Sequence, residues 1–501
     1  MNATGLTDTP SPDPESAPEV PHPRRRRTVT AFLIGMAVAA VGTFLVLALL
    51  VNIFTRKQEA RVPFQRLVEV DESTTDPAPW GVNWPHQYDS YLRTVDHERT
   101  RYGGSDAIPK QKLDADPWLR TMWAGYAFSL DYREARGHAH MLWDQDHTER
   151  VLQRPQPGAC LHCHSSIIEA YRHVGDGDVM AGFRQVNAMT WNEARNLTND
   201  AGHPLVAHPM SCVDCHDPET MRLRVTRPGF IEGIRKLKAA EGIDDYDVHR
   251  DATRHELRTF VCAQCHVEYY FAGTDTQLTY PWDKGIRAEE IEAYYDEIDF
   301  SDWRHGITAA PMLKAQHPEF ELWSQGVHAK AGVACADCHM PYRRVGAMKV
   351  SDHHVRSPLL DVAASCQTCH RVPEEELLER AHVTQDRTQG LIDRAAAALT
   401  DMIDAIRRAK EAGASDEQLA EALRLHRRAQ WRLDFVYSEN SRGFHAAQES
   451  ARLLAESIDY SRQGVAAAIV AGASPEGTPQ VVEASPVEGV TPSEEAPSPR
   501  E

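Results

Sequence analysis

Three kinds of hydrophobic pattern succeed one another along the 501-residue chain. The first is a charge-free run from Thr28 to Thr55, "TVTAFLIGMAVAAVGTFLVLALLVNIFT". A helix that crosses a bilayer needs about 20 apolar residues. The apolar core of a cleaved signal peptide spans only about 7–15, so the run predicts a retained transmembrane anchor over 28–55. From about residue 62 to 370 no long period holds; Pro, Trp and His are frequent, and short helices within extended loops are expected. From Glu374 to about Val470 apolar positions return at helical spacing. The stretches "LIDRAAAALTDMIDAIRRAKEAG" and "DEQLAEALRLHRRAQWRLDFVY", parted by a turn at "EAGAS" around Gly413, and then "AAQESARLLAESIDYSRQGVAAAIV" predict three long helices. Residues 1–27 and 471–501 are rich in Pro, Ser, Thr and acids apart from Arg24–Arg27, and are expected to be disordered.

Charge orients this plan. Arg24, Arg25, Arg26 and Arg27 precede the apolar run, whereas Arg56, Lys57 and Arg61 follow it. The excess of basic residues on the first side places residues 1–27 in the cytoplasm and the rest of the chain outside. A formal net charge of -19 excludes nucleic-acid binding through phosphate contacts.

The cysteines change the picture most. There are 10, and all of them fall in five Cys-x-x-Cys-His motifs: Cys160–Cys163–His164, Cys212–Cys215–His216, Cys262–Cys265–His266, Cys335–Cys338–His339 and Cys366–Cys369–His370. None is left for a disulfide framework. Two thiols three residues apart reach the two vinyl groups on one porphyrin edge, and the next residue presents its imidazole to the iron. Zinc pairs and thioredoxin-like dithiols do not require a histidine after every second cysteine. The motifs therefore predict five covalently bound haem c groups, attached on the outer side of a membrane. Haem edges would then replace aliphatic side chains as core between residues 62 and 370. Each motif fills one axial face of an iron. Twenty of the 25 histidines remain to fill the other, so chemistry alone does not say which iron stays open.

The stretches "CAQCHVEYYF" (Cys262 to Phe271) and "PMLKAQHPEFELW" (Pro311 to Trp323), with "WAGYAFSLDY", "RGHAH", "FSDW", "GVHAKAGVACADCHMP" and "RRAQWRLDF", resemble the pentahaem, ammonia-forming cytochrome c nitrite reductases. The resemblance covers roughly residues 62–465 and leaves out the N-terminal span and the tail. It implies a mainly α, multihaem cytochrome c fold with little strand, a haem-packed core and long C-terminal helices over 374–470, which offer a homodimer interface. It also implies that the first haem, on Cys160 and Cys163, is catalytic. Family members typically have lysine as its proximal ligand; His164 stands there in this chain.

By the same resemblance Arg150, Tyr269 and His317 form the distal pocket. The second axial ligands are His138 for the third haem, His353 for the second, His328 for the fifth and His445 for the fourth; His140 and His354 are the near neighbours that could be mistaken for them. One calcium ion is expected on the side chains of Glu268 and Gln316 and the backbone carbonyls of Tyr269 and Lys314, since hard oxygens suit it. The implied reaction is six-electron reduction of nitrite to ammonium at a five-coordinate haem fed by four bis-histidine haems. Electrons are expected from a membrane-bound, quinol-oxidising multihaem cytochrome. A multihaem electron-transfer cytochrome without its own substrate site is the alternative, and an oxidative enzyme acting on hydroxylamine a more remote one.

Overall fold

The computed structural model describes residues 23–59 and 65–473, and the chain divides into two units, 1–65 with 344–349 and 66–343 with 350–501. The first unit carries helix α1, Pro23–Glu59, of 37 residues, about 55 Å long at 1.5 Å per residue. Within its segment Arg27–Gln58 an 18-residue stretch reaches a mean hydropathy of 2.6 and buries none of its residues within the protein. By length and composition it can cross a membrane.

The second unit begins as short helices joined by loops and ends in three long helices, α3 (Glu374–Glu411), α4 (Ala420–Ser438) and α5 (Ala447–Ala473). Helix α3 opens with Glu374, Glu375 and Glu376 and closes with Arg408 and Lys410, which matches charge to the helix dipole at both ends. Its buried residues Ile392, Ala395, Leu399, Met402 and Ile406 recur every three or four positions and make one apolar stripe. Gly413, at φ +99°, supplies the left-handed residue that ends it. Helix α5 lies so close to α3 that a β-carbon on Gly464 would stand 2.1 Å from the Met402 sulfur. Of residues 1–27 and 471–501, where disorder was expected, 23–27 and 471–473 are helical, as the ends of α1 and α5, and the others lie outside the described residues.

Strand is scarce, as expected. Tyr270–Ala272 (β1) pairs with Gln277–Thr279 (β2), and Trp303–Arg304 (β3) with Pro311–Met312 (β4), both antiparallel. These ribbons flank the segments that carry Tyr269 and His317. Among the short helices, α2 (Arg254–Ala263) delivers the third motif. Its start is fixed by a capping box in which Thr253 Oγ1 accepts from the Glu256 amide at 3.1 Å and Glu256 Oε2 accepts from the Thr253 amide at 2.8 Å. The packed core is rich in aromatic residues: Trp123, Trp282, Trp431, Phe230, Tyr280 and Tyr295 are all essentially excluded from solvent.

Candidate functional site

A cavity of about 1990 Å³ runs through the second unit, well beyond the roughly 300–1,000 Å³ of a pocket for one small ligand. Its wall contains the histidines of all five motifs, every motif cysteine except Cys160, and also His138, His328, His353, His445, Arg150, Tyr269 and His317. Fourteen motif residues scattered over more than 200 positions thus converge on one continuous space. Neighbouring motifs touch directly. Cys163 lies beside Cys265 and Cys262 beside Cys335, while Gln264 Nε2 lies 3.9 Å from the Cys215 sulfur.

Four histidine pairs face each other across this space. Ring centres are 6.1 Å apart for His266 and His138, 6.2 Å for His216 and His353, 6.2 Å for His370 and His328, and 6.4 Å for His339 and His445. A metal–nitrogen bond is about 2.0–2.1 Å, so two imidazoles on opposite sides of one metal have ring centres about 6 Å apart. Every distal partner expected from the resemblance faces the motif histidine to which it was assigned. His140 and His354 do not line the cavity: His140 turns its Nε2 to the Val95 carbonyl at 3.3 Å, and His354 sits 3.4 Å from Glu98.

The rings are also held in one orientation. The Nδ1–H groups of His164, His216, His339 and His353 donate to the carbonyls of Met141 (3.1 Å), Met221 (3.2 Å), Arg356 (3.0 Å) and Ser351 (2.9 Å). A carbonyl only accepts, so the proton is on Nδ1 and the Nε2 lone pair points into the cavity, which is how ligating histidines are usually set. His445 and His266 are backed by carboxylates instead. Glu439 lies 2.7 Å from His445 Nδ1, off the N–H direction, and Glu319 lies 3.8 Å from His266 Nδ1.

His164 differs from the other four motif histidines, for among the described residues no histidine ring is paired with it. The cavity wall that it shares contains Arg150, Tyr269 and His317. Arg150 is on the short helix Glu149–Gln153, which Thr148 caps. Its guanidinium donates to the Asp131 carbonyl at 2.7 Å and to Gln145 Oε1 at 3.3 Å, and lies 4.3 Å from the centre of the Phe128 ring. An arginine has five N–H donors, so these contacts fix its orientation and leave others free. Burial pulls its pKa down, though a group that starts above 12 stays cationic at neutral pH. Burial pushes His317 down to about 4 and Tyr269 well above the ordinary phenol range; both side chains are neutral at pH 7.

Behind Tyr269 is a pocket of buried acid. Glu268 is fully buried; its Oε2 accepts from the Gln316 amide at 2.6 Å and its Oε1 from the Tyr295 hydroxyl at 3.0 Å. Burial, and then the nearby Glu321 and Asp302, raise its pKa far above the carboxylate range. Burial likewise lifts Asp302 to about 7 and Glu321 to about 8. Among the described residues no cluster of three His, Cys, Asp or Glu ligands for a metal is found. A cation here depends on amide and carbonyl oxygens beside Glu268.

The model of the cytochrome c552 family matches residues 76–495. The chain belongs to the cytochrome c552 family. A cytochrome c-552 of Bacteroides fragilis is 38% identical over 433 residues, covering 85% of this chain and 83% of its own. One of Parabacteroides distasonis is 39% identical over 389 residues, covering 76% and 74%. The fold is that of the cytochrome c nitrite reductase catalytic subunit from Desulfovibrio desulfuricans ATCC 27774, a protein with two calcium sites: TM-score 0.71, 30% identity, 80% of this chain and 88% of the other. The family is the one the sequence resembles, and the chain is accordingly an oxidoreductase of the c-type cytochromes. Sequence reasoning did not find the groups that hold the site residues in place: the Met141 carbonyl behind His164, Asp131 and Gln145 on Arg150, and Glu439 and Glu319 behind His445 and His266. No local pattern marks them, because each meets its partner only through tertiary structure.

Proposed function

We propose that this cytochrome reduces nitrite to ammonium on the haem carried by Cys160, Cys163 and His164, with the other four motifs conducting electrons to it. The observation that carries this reading is the asymmetry of the cavity. Four motif histidines have a second histidine at the spacing of one iron, while the fifth, His164, lies within electrostatic reach of the Arg150 guanidinium and the His317 imidazole, and its motif cysteines within reach of the Tyr269 phenol. The residues fit five haems: each cysteine pair is beside the cavity, and the motif histidines whose tautomer is fixed point their free nitrogen into it. When bound, the first haem supplies an electron-rich metal site for a small oxyanion.

The chain's own residues do the rest. Arg150, held by Asp131 and Gln145, attracts the nitrite anion and offers charge-assisted hydrogen bonds to its oxygens. Tyr269, kept protonated by burial, donates another. His317, kept neutral by burial, donates a hydrogen bond to a substrate oxygen and relays protons as the oxygens leave. The overall change takes up six electrons and eight protons and releases ammonium and two waters. Contacts between motifs three and one, three and two, and three and four set short steps for electrons arriving at different points.

Calcium fits the acidic pocket. The Glu268 carboxyl, the Gln316 amide oxygen and the Tyr269 and Lys314 carbonyls are hard donors, and a cation among them would offset the burial that otherwise keeps Glu268 protonated. Such an ion would fix the backbone of Tyr269, itself a substrate-binding residue, and Gln316, the immediate neighbour of His317. The reading extends to a cytoplasmic segment 1–27, a membrane anchor 28–55, a catalytic domain 62–465 on the outer face, a tail from 471, a homodimer formed through the long helices, and a quinol-oxidising multihaem cytochrome as donor.

The spin state of the oxidised holoprotein, measured together with the product of nitrite turnover, tests the proposal. One high-spin haem signal that nitrite perturbs, with ammonium as product, is expected. Five low-spin haems and no ammonium would make the protein an electron carrier.

A further inference from the structure

The segment that carries His317 is held by a residue from a distant part of the chain. Asp434, on α4, is fully buried and accepts four hydrogen bonds. Its Oδ2 takes the Ala315 amide at 3.1 Å and the Trp123 indole N–H at 3.3 Å. Its Oδ1 takes the Lys314 ammonium at 3.1 Å and the Ser438 hydroxyl at 2.9 Å. Two of the four donors belong to residues 314 and 315, immediately before Gln316 and His317. The Lys314 ammonium, essentially excluded from solvent, also donates to the Ala315 carbonyl and to Ser438 Oγ at 2.9 Å. Its nitrogen lies 4.8 Å from the Trp123 ring centre and 5.2 Å from that of Phe128, the ring over which the Arg150 guanidinium also lies.

We infer that Asp434 is a positioning residue for the substrate pocket: through Ala315 and Lys314 it fixes the backbone that presents Gln316 and His317, and through Trp123 and Phe128 it registers that backbone against Arg150. All four partners are donors, which makes the carboxylate hard to replace. An asparagine in the same place must turn its NH₂ group towards a donor whichever way it faces. It also leaves the Lys314 ammonium buried without a counter-charge. The tie is short, covers two consecutive residues of the loop, and ends one residue before the first of the two side chains. A shift there is transmitted to His317 with little to absorb it.

The inference rests on the nitrite-reducing reading for its kinetic consequence and on geometry alone for its structural one, and the test separates the two. Asp434→Asn and Ser438→Ala are prepared as holoproteins, and hydrogen exchange is followed alongside nitrite kinetics. Asp434→Asn should keep its full haem content and unchanged low-spin signals. Exchange should rise in peptides spanning 311–318 and stay at wild-type rates in α3. Nitrite kcat/KM should fall by about tenfold to a hundredfold, the scale of a misplacement of about 1 Å in an active site. Ser438→Ala, which removes one donor to Asp434 and one acceptor of Lys314 but keeps the Ala315 and Lys314 bonds to the carboxylate, should raise exchange over 311–318 and lower kcat/KM less than Asp434→Asn does. If Asp434→Asn loses haem, Trp123→Phe carries the test, since it removes one donor only: a raised nitrite KM with intact haem supports the assignment. Unchanged exchange over 311–318 in the assembled variants overturns it. Raised exchange in a protein whose wild type does not reduce nitrite would uphold the positioning role and defeat the nitrite reading instead.

Discussion

The first motif and the other four are the same five residues of chemistry placed in two kinds of surroundings. His216, His266, His339 and His370 each face another histidine at 6.1–6.4 Å. His164 shares the cavity wall with Arg150, Tyr269 and His317 and has no paired histidine ring among the described residues. The attachment sequence is therefore silent about role. What separates a wire from a reaction centre is the second side of the iron, and that side is built by residues far away in the chain.

This contrast can be broken in stages. The largest effect is expected at His317. Replacing it with Asn should lower kcat for nitrite by about 10²–10⁴, the usual contribution of a positioned proton donor, with haem content unchanged; loss of haem on denaturing gels would instead make His317 structural. Next comes Arg150→Ala. It removes charge-assisted hydrogen bonds worth about 1.5–3 kcal/mol, and so should lower kcat/KM by roughly ten- to a hundredfold, with KM carrying most of the change. A steady-state profile identical to wild type would remove Arg150 from the pocket.

The smallest change sharpens the comparison from the other side. His138→Leu should turn the third centre into a second high-spin haem, visible by electron paramagnetic resonance. His140→Leu, two residues on, should leave the spectrum as it was, because that ring turns to the Val95 carbonyl and stacks on His97 with centres 5.2 Å apart. The reverse outcome would exchange the two assignments.

Much of this was legible without a structure. The three long helices follow from the return of helical spacing after residue 374, and α3 ends beside Gly413 as the turn sequence indicates. The five attachment motifs declare themselves, since Cys-x-x-Cys-His is local chemistry. The distal histidines were legible only through resemblance, because His138 and His140, or His353 and His354, are alike in type and nearly alike in position. A difference of one or two residues swings a side chain to another face, and only packing decides which face meets the cavity. Asp434 was not legible as part of the pocket. Within "RRAQWRLDF" it reads as one polar residue on a helix, and its meaning comes from Ala315, Lys314 and Trp123, each more than 100 positions away.

The sequence by itself determined what depends on neighbours along the chain: an apolar helix long enough for a membrane, five Cys-x-x-Cys-His motifs, and a mainly helical end. Tertiary structure decided what stands across from each attachment site. It paired four histidines with four others, set a cation and two neutral donors on the wall that His164 shares, and buried the acids around Glu268. The reason is physical. Covalent attachment and helix periodicity need partners within a few residues, whereas the second face of a metal and the desolvation of a charge are filled by whatever the fold brings near.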